Sequence, residues 1–128
     1  EVCKKYLGAD SIVGLSAKNL SGIDFEKVDE ESAAGYLEFI RELTLKCHKK
    51  GVVVSVDTYP VEEYNMHYGY SELGRVADYV IIMAYDEHYS GSDEAGSVSS
   101  LGFVKEAANK ASMYIPGERL VIALPFYT

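Results

Sequence analysis

Short runs of apolar, often β-branched residues alternate along this chain with longer stretches whose apolar positions recur at helical spacing, the pattern of successive parallel β/α units. Val52-Val53-Val54-Ser55-Val56 and Tyr79-Val80-Ile81-Ile82-Met83-Ala84 have the composition of strands buried on both faces of a parallel sheet. Both runs finish in polar groups, the first in Asp57-Thr58-Tyr59-Pro60 and the second in Tyr85-Asp86. A shorter strand is predicted over residues 21–26, after the tail of a helix at residues 10–20. A long amphipathic helix is predicted from about residue 30 to residue 50, with Tyr36, Leu37, Phe39, Ile40, Leu43 and Cys47 on its apolar face. The basic cluster at residues 46–50 suits the negative end of the helix dipole, and Gly51 stops the helix. A Tyr-rich loop, a short helix near residues 71–77, a Gly/Ser-rich loop at 90–100 and a helix near 103–113 follow. Pro116-Gly117 then turns the chain into a last strand over 119–127. The expected class is α/β, with four strands and at least three intervening helices. Because the pattern opens without a strand and stops on one, a segment from the middle of a larger β/α barrel is expected, since a full barrel takes eight such units in about 250 residues.

Composition narrows the chemistry. The 128 residues have the length of one ordinary domain, and 48% hydrophobic with 25% charged residues is a globular balance. A net charge of −8 without clustered Lys and Arg argues against nucleic acid as a partner and favours a neutral or cationic ligand. No run approaches the roughly 20 apolar residues that cross a bilayer, so membrane insertion is not expected. The start Glu1-Val2-Cys3-Lys4-Lys5 lacks the order of a signal peptide, which leaves localisation open for a chain that is expected to be cut. Cys3 and Cys47 read as packing residues, and His48, His67 and His88 are scattered along the chain. Neither a metal site nor a cofactor is expected.

In parallel β/α folds the active site forms at the carboxyl ends of the strands. Here those ends carry Asp24 and Glu26, Asp57 and Tyr59, Tyr85 and Asp86, and Tyr127. Strand periodicity sets Asp24 and Glu26 on one face with Cα atoms roughly 6.6 Å apart, so one of the two acids is expected to hold a proton near neutral pH. A protonated carboxyl can give its proton to a leaving oxygen, which is what glycoside hydrolysis requires, and Glu26 is the candidate acid. Neighbours on one strand cannot flank a sugar from opposite sides. The nucleophile is therefore sought either at another strand end, with Asp57 and Asp86 as candidates, or in a 2-acetamido oxygen of the substrate itself.

Gly22-Ile23-Asp24-Phe25-Glu26, Met83-Ala84-Tyr85-Asp86 and Leu124-Pro125-Phe126-Tyr127, in this order and spacing, resemble glycoside hydrolase family 18, the chitinase and N-acetylglucosaminidase family. Tyr85-Asp86-Glu87-His88-Tyr89 followed by Ala95-Gly96-Ser97-Val98 is similar to the bacterial branch acting on spore cortex and cell-wall peptidoglycan. The resemblance implies a partial catalytic barrel over residues 1–128, about strands 4 to 7 of a (β/α)8 TIM barrel. It implies a retaining, substrate-assisted mechanism on a polysaccharide containing N-acetylglucosamine, peptidoglycan or chitin. In it Glu26 is acid and then base, Asp24 orients the acetamido group, and the Tyr85 hydroxyl steadies the acetamido carbonyl. Asp86 and Met83 line the same subsite, and Tyr59 and Tyr127 add sugar-contacting surface. The isolated segment is expected to be inactive. An extracellular setting at a bacterial cell wall or spore surface is implied, with appended wall-binding modules outside this chain. The sequence departs from the family where a carboxylate or amide is usual four residues before the acid and an Asp seven before; Gly22 and Asn19 stand there. Gly22 keeps a second reading in play, a catalytically silent carbohydrate-binding barrel. A third, plainer reading is an α/β domain whose acidic strand ends only solvate the sheet.

Overall fold

The computed structural model describes residues 21–26 and 28–127. The helix expected at residues 10–20, Cys3 and Asn19 lie outside the described residues. Within them four strands, β1 (Gly22–Glu26), β2 (Val53–Thr58), β3 (Tyr79–Met83) and β4 (Leu120–Ala123), form one sheet in the order β1-β2-β3-β4, with every pairing parallel. The helices α1 (Ala33–His48), α2 (Tyr70–Val76) and α3 (Leu101–Ser112) lie between successive strands. The strands follow one another without a reversal of order, so the sheet has no switch point of the doubly wound kind; it is laid out as part of a β/α barrel.

Alternation along the strands divides the sheet into two chemically different faces. Val54, Val56, Val80 and Ile82 are fully buried on the helix side, where Phe39 and Ile40 of α1, Leu73 of α2, and Ala107 and Ala111 of α3 meet them in one apolar core. Phe25 joins from β1 through an edge contact with Phe39, ring centroids 5.2 Å apart. The other face carries Asp24, Glu26, Ser55, Asp57, Tyr79 and Val121, all exposed or half-buried. In a β/α barrel this second face is the interior, and its upper rim is where chemistry is done.

Element ends differ from the sequence expectation for local reasons. The first helix begins at Ala33 rather than near residue 30, because a turn comes first: Asp29 Oδ1 accepts the Ser32 N–H at 2.7 Å and the Glu30 carbonyl accepts the Ala33 N–H. At its other end Gly51 takes a left-handed φ of 69°, as a helix stop requires. The Tyr-rich loop contains a 3₁₀ helix, Glu63–Tyr68, closed by Gly69 at φ 64°. The last strand ends at Ala123 rather than running to residue 127, since Pro125 has no N–H to give a ladder and Leu124, Phe126 and Tyr127 stand exposed.

Candidate active site

Parallel register brings the acids of different strands together. Asp24 lies opposite Ser55 and Glu26 opposite Asp57, which puts neighbouring Cα atoms about 4.8 Å apart. All four point to the same face, because each is two residues from the next on its strand. The Ser55 hydroxyl donates to Asp24 Oδ1, fixing one carboxylate oxygen. Asp57 is half-buried, and its Oδ1 is closed off from solvent with no hydrogen-bond partner among the described residues.

The sequence led to the expectation that a proton would be held within the Asp24–Glu26 pair; the register sets a third acid, Asp57, beside them. Burial first, then the charges of Asp24 and Glu26 and a hydrogen bond with Asp24, push the Asp57 carboxyl up to about 6. The physical reason is the third acid: the cross-strand neighbour is nearer the protein interior than the two acids of β1, so it is the one that loses most solvation when charged. Sequence spacing alone had marked Asp57 as a strand-end acid and a candidate nucleophile, without its place beside Glu26.

Strand β3 delivers the next group of residues. Met83 closes the strand and is buried. Tyr85 follows, half-buried, its hydroxyl made harder to ionise by burial and then by the charges of Asp57, Glu26 and Asp86. Asp86 has a left-handed φ of 61°, unique to it among the described non-glycine residues, a conformation that Asp tolerates better than most. It accepts a hydrogen bond from the Tyr127 hydroxyl at 2.6 Å, and this bond is the chief reason the Tyr127 phenol is pushed up to about 12. The rings of Tyr85 and Tyr127 meet edge to face, 6.4 Å apart. Tyr59 stands at the end of β2, 40% exposed, against Tyr68. A cleft of about 410 Å³ opens between Tyr59, Tyr64, Asn65, Tyr85, Asp86 and Phe103. The eight candidates named from sequence are thus gathered at the carboxyl ends of three parallel strands and the segment that follows the fourth.

One supporting link escaped sequence reading. Glu87 accepts both the backbone N–H of Ser100, at 2.7 Å, and its hydroxyl, at 3.0 Å, while the Ser99 hydroxyl donates to the Ala84 carbonyl. The carboxyl end of the Gly/Ser-rich loop is thereby tied to the chain just past β3, and Ser100 in turn caps α3 by accepting the Phe103 N–H. The Ser100 backbone bond holds the Glu87 carboxyl below the ordinary range. The histidines are each engaged locally: His48 with Asp78, His67 with the Tyr64 and Val28 carbonyls, His88 with the Ser97 carbonyl. Among the described residues no group of three His, Cys, Asp or Glu side chains is disposed to hold a metal ion, and no helix is long and apolar enough to cross a membrane.

Comparison with known proteins gives one consistent result. Residues 9–128 match the family described as glycosyl hydrolases family 18. The chain is 31% identical to the uncharacterized glycosylase YvbX of Bacillus subtilis over 127 residues, covering 92% of this chain and 37% of that protein. It is 27% identical to the cortical fragment-lytic enzyme of the same organism, over 81% of this chain and 25% of the relative. A chitinase from Chromobacterium violaceum superposes with a TM-score of 0.73 at 26% identity, over 84% of this chain and 36% of the chitinase chain. The chain therefore spans about a quarter to somewhat over a third of the length of the proteins it matches.

Proposed function

The chain belongs to glycosyl hydrolases family 18, and from that premise we propose that residues 1–128 form the middle part of a catalytic barrel that cleaves β-linked N-acetylglucosamine polymers with retention of configuration. The observation that carries this reading is the convergence on one face of Asp24, Glu26 and Asp57, with Tyr85 and Asp86 at the next strand end. Glu26 protonates the glycosidic oxygen and afterwards activates water. Asp57 is a poor nucleophile while it keeps its proton, and Asp24 shares a strand with the acid. As the family resemblance implies, the acetamido oxygen of the substrate is the group that attacks the anomeric carbon. Asp24 accepts the acetamido N–H and stabilises the positive charge that develops, and the Tyr85 hydroxyl donates to the acetamido carbonyl. Met83 and Asp86 shape that subsite, and Tyr59 and Tyr127 offer aromatic surface to neighbouring sugars.

The substrate class is a polysaccharide containing N-acetylglucosamine. Likeness to a cortical fragment-lytic enzyme favours peptidoglycan over chitin, and with it action at a bacterial cell wall or spore surface. The alternative of a catalytically silent sugar-binding barrel draws on Gly22, where a Cβ would come no nearer than 3.4 Å to any neighbouring atom, so space does not require the glycine.

The test is made on the full-length chain with chitin oligosaccharides and glycan strands. Glu26→Gln is expected to lower kcat by about 10²- to 10⁴-fold while sugar binding persists. Unchanged turnover in that variant would remove Glu26 from its role. A deacetylated glycan cleaved as fast as the acetylated one would put a protein nucleophile in place of the substrate's own oxygen.

A further inference from the structure

Three carboxyl groups meet at the end of β1 and β2, and two of them lack the freedom to move apart. Asp24 is held by the Ser55 hydroxyl, and Asp57 is set by register directly beside Glu26. Among the described residues the closed-off Oδ1 of Asp57 has no donor to satisfy it. An ionised carboxylate in that position would carry a buried, unpaired, charged oxygen next to two other acids; a neutral carboxyl that turns its O–H toward Asp24 removes the charge and leaves only an uncharged oxygen closed off. Strand β1 itself gives Asp24 no help from behind, because the residue two before it on the same face is Gly22. Support for Asp24 comes across the sheet from β2.

Resting on the glycosidase reading above, we propose that Asp57 is a positioning residue: kept neutral, it donates a hydrogen bond to the Asp24 carboxylate and, with Ser55, fixes that carboxylate where the acetamido N–H of the sugar meets it. The raised proton affinity of Asp57 agrees with this arrangement. Among the described residues the titratable groups whose charges act on Asp57 are Asp24 and Glu26 from β1, Tyr36 from α1 and Tyr85 beyond β3, all of them acids. As pH rises through about 6, Asp57 ionises, the donated bond is lost, and a third negative charge pushes Asp24 from its place. Turnover then falls while ground-state sugar binding, spread over the aromatic surface, is largely kept.

Kinetics of the full-length chain on a chitin oligosaccharide test this, together with carboxyl NMR titration. Asp57→Ala is expected to lower kcat on the order of 10- to 100-fold, with KM changed by no more than about twofold. Asp57→Asn keeps a donor but cannot ionise; it should recover a large part of that loss and no longer show a descending limb of kcat centred near pH 6. In the wild-type chain the Asp57 carboxyl should titrate near 6, and Asp24→Asn should move it downward. An unaltered kcat in Asp57→Ala, a limb near pH 6 that persists in Asp57→Asn, or an Asp57 that titrates in the ordinary Asp range would each overturn the proposal. Failure of the glycosidase reading looks different. The wild-type chain would then show no turnover while Asp57 still titrates near 6 and responds to Asp24→Asn, leaving the shared proton standing without the sugar chemistry.

Discussion

Asp57→Asn is expected to stabilise the folded chain at neutral pH and to leave it unchanged in acid. The folded state holds the Asp57 proton up to about 6, whereas an unfolded Asp releases it near 3.9. Between those values the folded state binds more proton than the unfolded one, so stability declines as pH rises from about 4 to 6 and stays lowered above that window. Roughly two pH units at 1.36 kcal/mol each set a ceiling of about 3 kcal/mol. Asp57 is only half-buried, and solvent screening reduces the figure to about 1–2 kcal/mol. Urea unfolding of the full-length wild type and variant at pH 4 and pH 7.5 measures it, and the comparison of the two pH values cancels whatever the amide does to packing. The variant should gain about 1–2 kcal/mol at pH 7.5 relative to its difference at pH 4. A difference that is the same at both pH values, or one that grows in acid, would refute the assignment of the held proton to Asp57. The stability given up at neutral pH is what a preorganised acidic site costs its fold.

Further outcomes follow from the packing and the loop. Phe39→Ala, at a fully buried position against Phe25 and Tyr36, should lower unfolding free energy by about 3–5 kcal/mol in urea titrations. Arg119 Nη1 donates to the carbonyls of Gly74, Arg75 and Ala77 at 2.9–3.3 Å; Arg119→Ala should cost about 1.5–3 kcal/mol and quicken hydrogen exchange at the end of α2. Glu87→Ala should speed exchange of the Ser100 amide about tenfold or more, because its acceptor is removed. Tyr127→Phe breaks the bond to Asp86 and is expected to raise KM severalfold with a smaller effect on kcat, read by steady-state kinetics.

Strands β2 and β3 were legible because β-branched runs are hard to read as anything else, and α1 because Tyr36, Phe39 and Ile40 recur at helical spacing and are, with Thr44, the residues it buries. Asp24 and Glu26 were legible as a pair because both sit on one short strand. The 3₁₀ helix at Glu63–Tyr68 was not, since its Tyr, Asn, Met and His side chains form no 3.6-residue pattern. Nor was the Glu87–Ser100 link, which joins residues 13 apart across a loop of small polar residues.

The position of Asp57 shows most clearly where local pattern stops. From the sequence it is one polar residue at the end of an apolar run, and period two says only that it shares a face with Ser55. What makes it chemically distinct is pairing between strands that are separated by a whole helix. If β2 slipped by one residue against β1, Thr58 would stand beside Glu26, Asp57 would turn into the core, and Val54 and Val56 would turn out of it. That slip is prevented by the other face of the same strand, where those two valines and Thr58 are fully buried against the helices. The apolar pattern that was easy to read therefore sets the acidic contact that was not. In the proposed arrangement the carboxyl of Asp57 reaches Asp24 from β2, on the face where β1 itself offers only Gly22.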